Sequence, residues 1–189
     1  MGLLDVLTGK RKLAKPAADR LFAISTAYVT LQTLEITTRG RAAIVFQSLA
    51  TADFRSIVRE MEEVVKGTAA DSGTTVETSE DSYGFSWLVL SGQDFDDLVV
   101  GINAVSTALE AGGYGERVLC AVFAFQDDKA RPIYWIYNYK RGSFYPFAPA
   151  AGAQQRDSER ELVLKAQIGN ELPVEPELAR WFPLWGIPI

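Results

Sequence analysis

Residues 134–147 read YWIYNYKRGSFYPF, the densest run of aromatic side chains in the chain. Side chains alternate between the two faces of a β-strand, so Ile133, Trp135, Tyr137 and Tyr139 fall on one face and Tyr134 shares the other with the apolar residue at 136. The pattern therefore predicts hairpin strands with large apolar groups on both faces. Such a sheet is either covered on both sides by its own chain or presents an exposed binding face.

The rest of the chain alternates short apolar runs with amphipathic segments. Residues 76–78 and 85–90 predict a hairpin, and residues 118–126 and 132–140 predict another that continues into a strand at 144–147. Amphipathic helices are expected after Thr51, Asp94 and Ser158, each of which can cap a helix N-terminus. These elements predict an α+β fold: a single domain with a largely antiparallel, hairpin-built sheet and helices packed on one face.

One region leaves the assignment open. Residues 28–37 are compatible with either helix or strand, and the β-branched residues at 36–38 favour a strand over 34–38. Arg39-Gly40 would then be a turn into a second strand at 42–47. The order strand–strand–helix would in that case occur twice, at about 34–66 and 76–112, which suggests a ββα duplication.

The charge of the chain is uneven. The net charge is −5, which argues against general nucleic-acid binding because that function needs a basic surface. Residues 1–15 differ from the remainder, since Lys10, Arg11, Lys12 and Lys15 outnumber the single acid Asp5. We expect residues 1–15 to be a mobile basic segment that makes a weak peripheral contact with an anionic membrane or an acidic partner, and residues 16–189 to be one domain.

The chain lacks the residues of common catalytic sites. It has no histidine, which excludes histidine-based triads and histidine-ligated metals. Its one cysteine, Cys120, lies in a predicted buried strand and cannot form an internal disulfide, which favours a reducing, cytoplasmic location. No apolar stretch reaches the length of a membrane span. We therefore expect no enzymatic activity, no cofactor and no metal; an enzyme that uses carboxylate, Lys and Tyr chemistry is the least favoured alternative.

The last third of the chain ends in a second aromatic cluster, with Trp181, Phe182 and Trp185 between prolines. We expect these rings to fold back on the domain as a clasp, because large rings are costly to leave in water. The alternatives are docking into a partner's groove and insertion at a membrane interface, which nearby acids disfavour. The candidate interaction residues are therefore Lys10, Arg11, Lys12, Lys15, Tyr134, Tyr137, Tyr139, Arg141, Phe144, Tyr145, Phe147, Trp181, Phe182 and Trp185.

Several of these strings resemble those of a known family. The chain resembles the PspA-associated protein PspAB family in MGLLD at 1–5, LFAI at 21–24, YGFSW at 83–87, YKRGSFYPFAP at 139–149, LPVEPEL at 172–178 and RWFPLWG at 180–186. The similarity runs over essentially the whole chain. It implies an accessory protein of the phage-shock, envelope-stress response, encoded beside PspA-type membrane-remodelling coiled coils and often beside an HtpX-like membrane metalloprotease. No catalytic residues are carried over from the family.

Two functions follow as hypotheses. The first is a non-enzymatic adaptor that binds a PspA-like coiled coil at the cytoplasmic face of the membrane, as the resemblance implies. The second is a small-molecule or peptide sensor whose pocket is lined by Tyr134, Tyr137 and Phe144.

Overall fold

The structure is a computed structural model that describes residues 20–47, 51–69, 73–81, 83–152 and 154–189, with some side chains of the second helix left out. Within these ranges lie four α-helices and six β-strands. In chain order they are α1 (Ala23–Thr33), β1 (Thr37–Gln47), α2 (Ala52–Ala69), β2 (Thr75–Glu80), β3 (Phe85–Ser91), α3 (Phe95–Ala111), β4 (Val118–Gln126), β5 (Pro132–Asn138), β6 (Ser143–Phe147) and α4 (Ser158–Ile168).

The six strands form one sheet in the order β2-β3-β1-β4-β5-β6, and every neighbouring pair is antiparallel. Three pairs are consecutive in sequence and two involve β1, which lies between β3 and β4 at the centre of the sheet. The register places Trp135 opposite Phe123 and Pro146. The predicted α+β class, with a hairpin-built antiparallel sheet, is confirmed.

Alternation along the strands divides the interior into two apolar layers. One layer contains Phe123, Trp135 and Phe144 from the sheet, and all four helices contribute to it. The other layer lies on the opposite face and contains Val122, Tyr134 and Phe147 among others. No helix residue belongs to that second layer in the part of the chain that the structure describes. The prediction that the helices pack on one face is confirmed.

The opposite face is covered by residues 172–189, which we call the tail. Trp181 and Ile189 are buried there, and Leu184, Trp185 and Ile187 pack against the same layer. The tail also touches the edge of the sheet, where Phe144 donates its amide to Pro173 at 2.9 Å and accepts from Glu175 at 2.8 Å. Apart from a 3₁₀ turn at Leu178–Arg180, it is irregular. The domain thus has three layers of chain: the helices, the sheet and the tail.

Two helix boundaries differ from the prediction. The ambiguous region at residues 28–37 is helical as far as Thr33. Ile24, Ala27 and Leu31 recur about once per turn of α1 and form its buried face. At α4 the cap is Asp157 rather than Ser158: its carboxylate accepts the amide of Arg160 at 3.0 Å. The Asp94 cap of α3 is confirmed, with its carboxylate accepting from the amides of Asp96 and Asp97.

The predicted turn at Arg39-Gly40 is wrong. Thr37 to Gln47 form one strand, and the pairing with β4 shifts between Thr38 and Arg41, which is a β-bulge. Gly40 takes the left-handed conformation that the bulge requires, with φ of 65°. Because one strand rather than two precedes α2, the first of the two expected strand–strand–helix units is not formed, and the expected duplication is absent from the described elements.

We predict that Gly40→Ala destabilises the fold by at least about 2 kcal/mol, because a Cβ strains the left-handed conformation. That Cβ would also lie 2.7 Å from the carbonyl oxygen of Gly92. Gly67 is the matched control, since a Cβ there meets nothing within 4 Å. Gly67→Ala should stabilise the helix by about 0.5–1 kcal/mol. Urea denaturation of both variants measures the difference, and a neutral Gly40→Ala variant would contradict the bulge.

Candidate interaction surface

The aromatic candidates at residues 137–144 lie in the core beneath the helices. Tyr137 and Phe144 are at most 1% exposed, and Tyr139 is also buried. The ring of Tyr137 contacts those of Tyr139 and Phe144 at centroid distances of 5.1 and 4.8 Å. Burial raises the pKa of the Tyr137 and Tyr139 hydroxyls. These side chains therefore stay neutral and help to fill the core.

The aromatic candidates on the opposite face lie beneath the tail. Tyr134, Tyr145 and Phe147 are buried there. The ring of Phe147 stacks on Tyr134 at 6.1 Å and meets Trp185 edge-on at 5.1 Å. The Tyr134 hydroxyl donates to the main-chain oxygen of Ile189 at 3.0 Å. The sheet at residues 134–147 is thus covered on both faces by its own chain, and its aromatic rings do not form an exposed recognition surface in this structure.

A single pocket lined by Tyr134, Tyr137 and Phe144 is not formed. Tyr134 belongs to the layer under the tail, whereas Tyr137 and Phe144 belong to the layer under the helices. The sheet itself separates them, because residues an odd number of positions apart on a strand point to opposite faces. The three side chains therefore cannot line one binding pocket, which the sensor hypothesis requires.

The three aromatic residues of the tail, which were expected to form a clasp, differ in how deeply they are buried. Trp181 is buried, Trp185 is half-buried against Phe147, and Phe182 is 59% exposed. The Trp181 indole donates to the carbonyl of Glu175 at 3.0 Å, and the Lys165 ammonium lies 5.5 Å from the centre of its ring. Trp181 and Trp185 therefore act as the clasp, while Phe182 faces outward.

A buried ion pair fixes the tail to α4. Glu161 is 1% exposed, and its carboxylate accepts from the guanidinium of Arg156 at 2.6 Å and from the amide of Ala148 at 3.0 Å. The other arm of Arg156 donates to the carbonyl of Trp181 at 2.6 Å. Removing one partner of a buried pair leaves the other uncompensated, at a cost of about 3–5 kcal/mol. Arg156 therefore ties α4 to the tail.

A second buried carboxylate, Glu175, fixes the tail to the end of the sheet. It lies 3.9 Å from the guanidinium of Arg141 and 3.4 Å from that of Arg180, and Ser143 donates to it at 3.3 Å. Arg141, a candidate contact residue, is thus half-exposed and engaged with the tail. Sequence reasoning did not identify Arg156, Glu161 or Glu175. A signal existed for Glu161, which shares a helical face with Leu164 and Ile168.

The remaining candidates, Lys10, Arg11, Lys12 and Lys15, lie outside the described residues. Among the described residues, no group of three or more Cys, Asp or Glu side chains could hold a metal ion. The described part of the chain contains no helix that is both long and apolar enough to cross a membrane.

Exposed large apolar side chains are concentrated in α4 and the tail. Leu162 and Val163 on α4, and Leu178 and Phe182 in the tail, are 45–59% exposed. Leu162 also lines a shallow cleft of about 520 Å³ between α4 and residues 172–176. Its walls are formed by Leu162, Lys165, Ala166, Gly169, Asn170, Leu172, Pro173, Val174 and Pro176. We call these exposed side chains and the cleft the outer surface; among the candidate contact residues that the structure describes, only Phe182 belongs to it.

Truncating Trp181 and truncating Phe182 should have different effects. We predict that Trp181→Ala lowers the free energy of unfolding by about 3–5 kcal/mol, because it leaves a cavity under the tail. Phe182→Ala, the adjacent control, should change it by less than about 0.5 kcal/mol. Chemical denaturation followed by circular dichroism measures both. Equal effects would show that Trp181 is not held in the core.

Cys120 provides a second check on the layer under the tail. Burial raises the pKa of its thiol to about 12, so the reactive thiolate is scarce at pH 8. We predict that the native protein reacts with a thiol reagent at least about 100-fold more slowly than the protein unfolded in urea. Comparable rates in the two states would contradict the burial of Cys120.

The comparisons with known proteins agree with the resemblance seen in the sequence. No curated protein and no solved structure matches the chain significantly. A family model described as PspAB, PspA associated protein B, matches residues 1–189, the whole chain. The chain belongs to this PspA-associated family.

Proposed function

We propose that this protein is a non-enzymatic accessory protein of the PspA-type envelope-stress system, and that it binds a PspA-like coiled coil near the cytoplasmic face of the membrane. Its family is named for association with PspA. The observation that carries the proposal is the outer surface, since apolar groups clustered in water usually mark a site of interaction.

The position of the outer surface supports an adaptor role. Four of the seven large hydrophobic residues that are exposed in the described chain fall between Leu162 and Phe182. The other three are scattered: Val29 is on α1, Val100 is on α3, and Tyr83 is in the β2–β3 turn. Single exposed hydrophobic residues are common on proteins, whereas a cluster beside a cleft favours a docking site.

The chemistry of the described residues supports the non-enzymatic part of the proposal. Catalysis needs convergent reactive groups in an accessible pocket. Here Cys120 and most of the tyrosines of the sheet are buried, and burial raises their pKa. The buried carboxylates Glu161 and Glu175 are both engaged by arginines. The outer surface itself carries apolar side chains rather than paired acids and bases.

The membrane part of the proposal rests on the basic segment at residues 1–15. Lys10, Arg11, Lys12 and Lys15 each contribute about 1 kcal/mol of attraction to an anionic bilayer surface, which is a weak contact in total. In this proposal the segment keeps the adaptor close to a membrane-associated partner. Partner binding itself belongs to the outer surface.

A binding assay with the purified PspA-type coiled coil tests the proposal. The double variant Leu162→Glu/Phe182→Glu should weaken the complex at least about tenfold, because charges on a docking surface must be desolvated on binding. Leu162 is 45% exposed and Phe182 is 59% exposed, so the fold should tolerate the change. Isothermal titration calorimetry gives the affinities.

Val29→Glu/Val100→Glu is the matched control, since it adds the same charge at exposed positions outside the outer surface. The control should bind like the original chain. If both double variants bind normally, the outer surface is not the docking site. If the original chain does not bind the coiled coil, with or without anionic vesicles, the adaptor proposal fails.

A further inference from the structure

The outer surface has a shape that selects one kind of ligand. One wall of its cleft is helix α4, and the other is the extended run of the tail at residues 172–176. On α4, Leu162 and Ala166 lie one turn apart along the cleft, and Gly169 follows the last residue of the helix. Because Ala166 and Gly169 are small, another backbone can approach closely, as in helix–helix packing at about 8–10 Å between axes.

The extended wall has no free amide between residues 173 and 176 to offer an added β-strand. Pro173 and Pro176 have no N–H group. The amide of Val174 donates to Leu172 at 2.8 Å, and that of Glu175 donates to Phe144 at 2.8 Å. Every amide between 173 and 176 is therefore absent or already used, and strand addition depends on such main-chain bonds. A ligand must instead be held through its side chains, which is how an amphipathic helix docks in a groove.

The free charges at the two ends of the outer surface are acidic. Glu159 lies one turn before Leu162 on α4, and Glu171 follows Asn170 beyond the other end of the helix; both are exposed. Within the described part of the chain neither carboxylate has an ion-pair partner. The nearby arginines are paired, Arg156 with Glu161 and Arg180 with Glu175 and Glu177, whereas Lys165 lies in the wall of the cleft with its ammonium 5.5 Å from the centre of the Trp181 ring.

We infer that the outer surface receives an amphipathic helix whose apolar stripe carries a Lys or Arg at each end. Glu159 lies nine positions before Ile168, the last residue of α4, which is about 14 Å along the helix, and Glu171 lies three positions beyond that end. The matching basic residues should therefore lie about three helical turns apart on the ligand. The same acids repel anionic headgroups, so this surface favours a protein helix over a membrane. This inference rests on the proposed function, because it specifies which part of the partner binds.

Two synthetic helical peptides of 18 residues test the charge pattern with the full chain. Both carry the same leucine and alanine stripe; one has Lys and the other has Glu at the ends of the stripe. Fluorescence anisotropy should show the Lys-ended peptide binding roughly tenfold more tightly, because it gains two ion pairs where the other suffers two repulsions. High salt should reduce the difference.

Reversing the charges on the protein provides the decisive comparison. Glu159→Lys/Glu171→Lys should invert the preference, so that the Glu-ended peptide binds more tightly. Glu80→Lys/Glu116→Lys makes the same change in net charge at exposed positions elsewhere and should leave the preference unchanged. Equal binding of the two peptides, no binding of either, or no inversion would overturn the inference. So would tighter peptide binding by a chain that lacks residues 1–15, because that segment would then be the occupant.

Binding of the PspA-type coiled coil to the same variants tests this inference and the proposed function separately. If Leu162→Glu/Phe182→Glu abolishes binding of the coiled coil and Glu159→Lys/Glu171→Lys weakens it, the proposed function and this inference both stand. If only the first variant weakens it, the surface is correct and the basic-ended helix is wrong. If the outer surface binds vesicles of phosphatidylglycerol, and Leu162→Glu/Phe182→Glu abolishes that binding, the preference for a protein helix is overturned.

Discussion

Strands β4 and β5 are apolar on both faces, and the helices cover only one face of the sheet. Phe123 and Trp135 point toward the helices, while Val122 and Tyr134 point away from them. An antiparallel sheet commonly leaves one face to water, but this one carries tyrosine, tryptophan and phenylalanine rings there. The uncovered face therefore needs a second layer, and the tail provides it through Trp181 and Ile189.

The way the tail is held decides which side chains remain for a partner. Glu161 and Glu175 are buried and paired with arginines, so they fix the tail at two points, one on α4 and one at the end of the sheet. Between these points Trp181 is turned inward, and its neighbours Leu178 and Phe182 are left outside. The apolar part of the tail is thus divided between stabilising the domain and forming the outer surface. A partner that binds there contacts a surface built by the last helix and the tail together.

Local rules predicted much of the fold from the sequence. The alternation at residues 133–139 is confirmed, because each side chain faces the predicted layer, and Asp94 caps α3 as its side-chain chemistry suggests. Gly40 shows the limit of such rules: a glycine with positive φ suits both a turn and a bulge, and only the pairing of β1 with β4 distinguishes them. The same limit applies to the outer surface. Its exposure depends on how the tail crosses α4, which no short-range pattern encodes, so Leu162, Val163 and Leu178 were not identified.

The tail completes the domain only if it is part of the cooperative fold and not a detachable arm. Native-state hydrogen exchange of the full chain tests this most directly, because Glu175 donates its amide to Phe144 and Trp181 donates its indole N–H to Glu175. We expect both groups to exchange with the same opening free energy as amides at the centre of the sheet, such as those of β4. Exchange at an opening free energy more than about 2 kcal/mol lower would show that the tail lifts off while the sheet stays folded. That result would contradict the assignment of the tail as the layer that completes the domain.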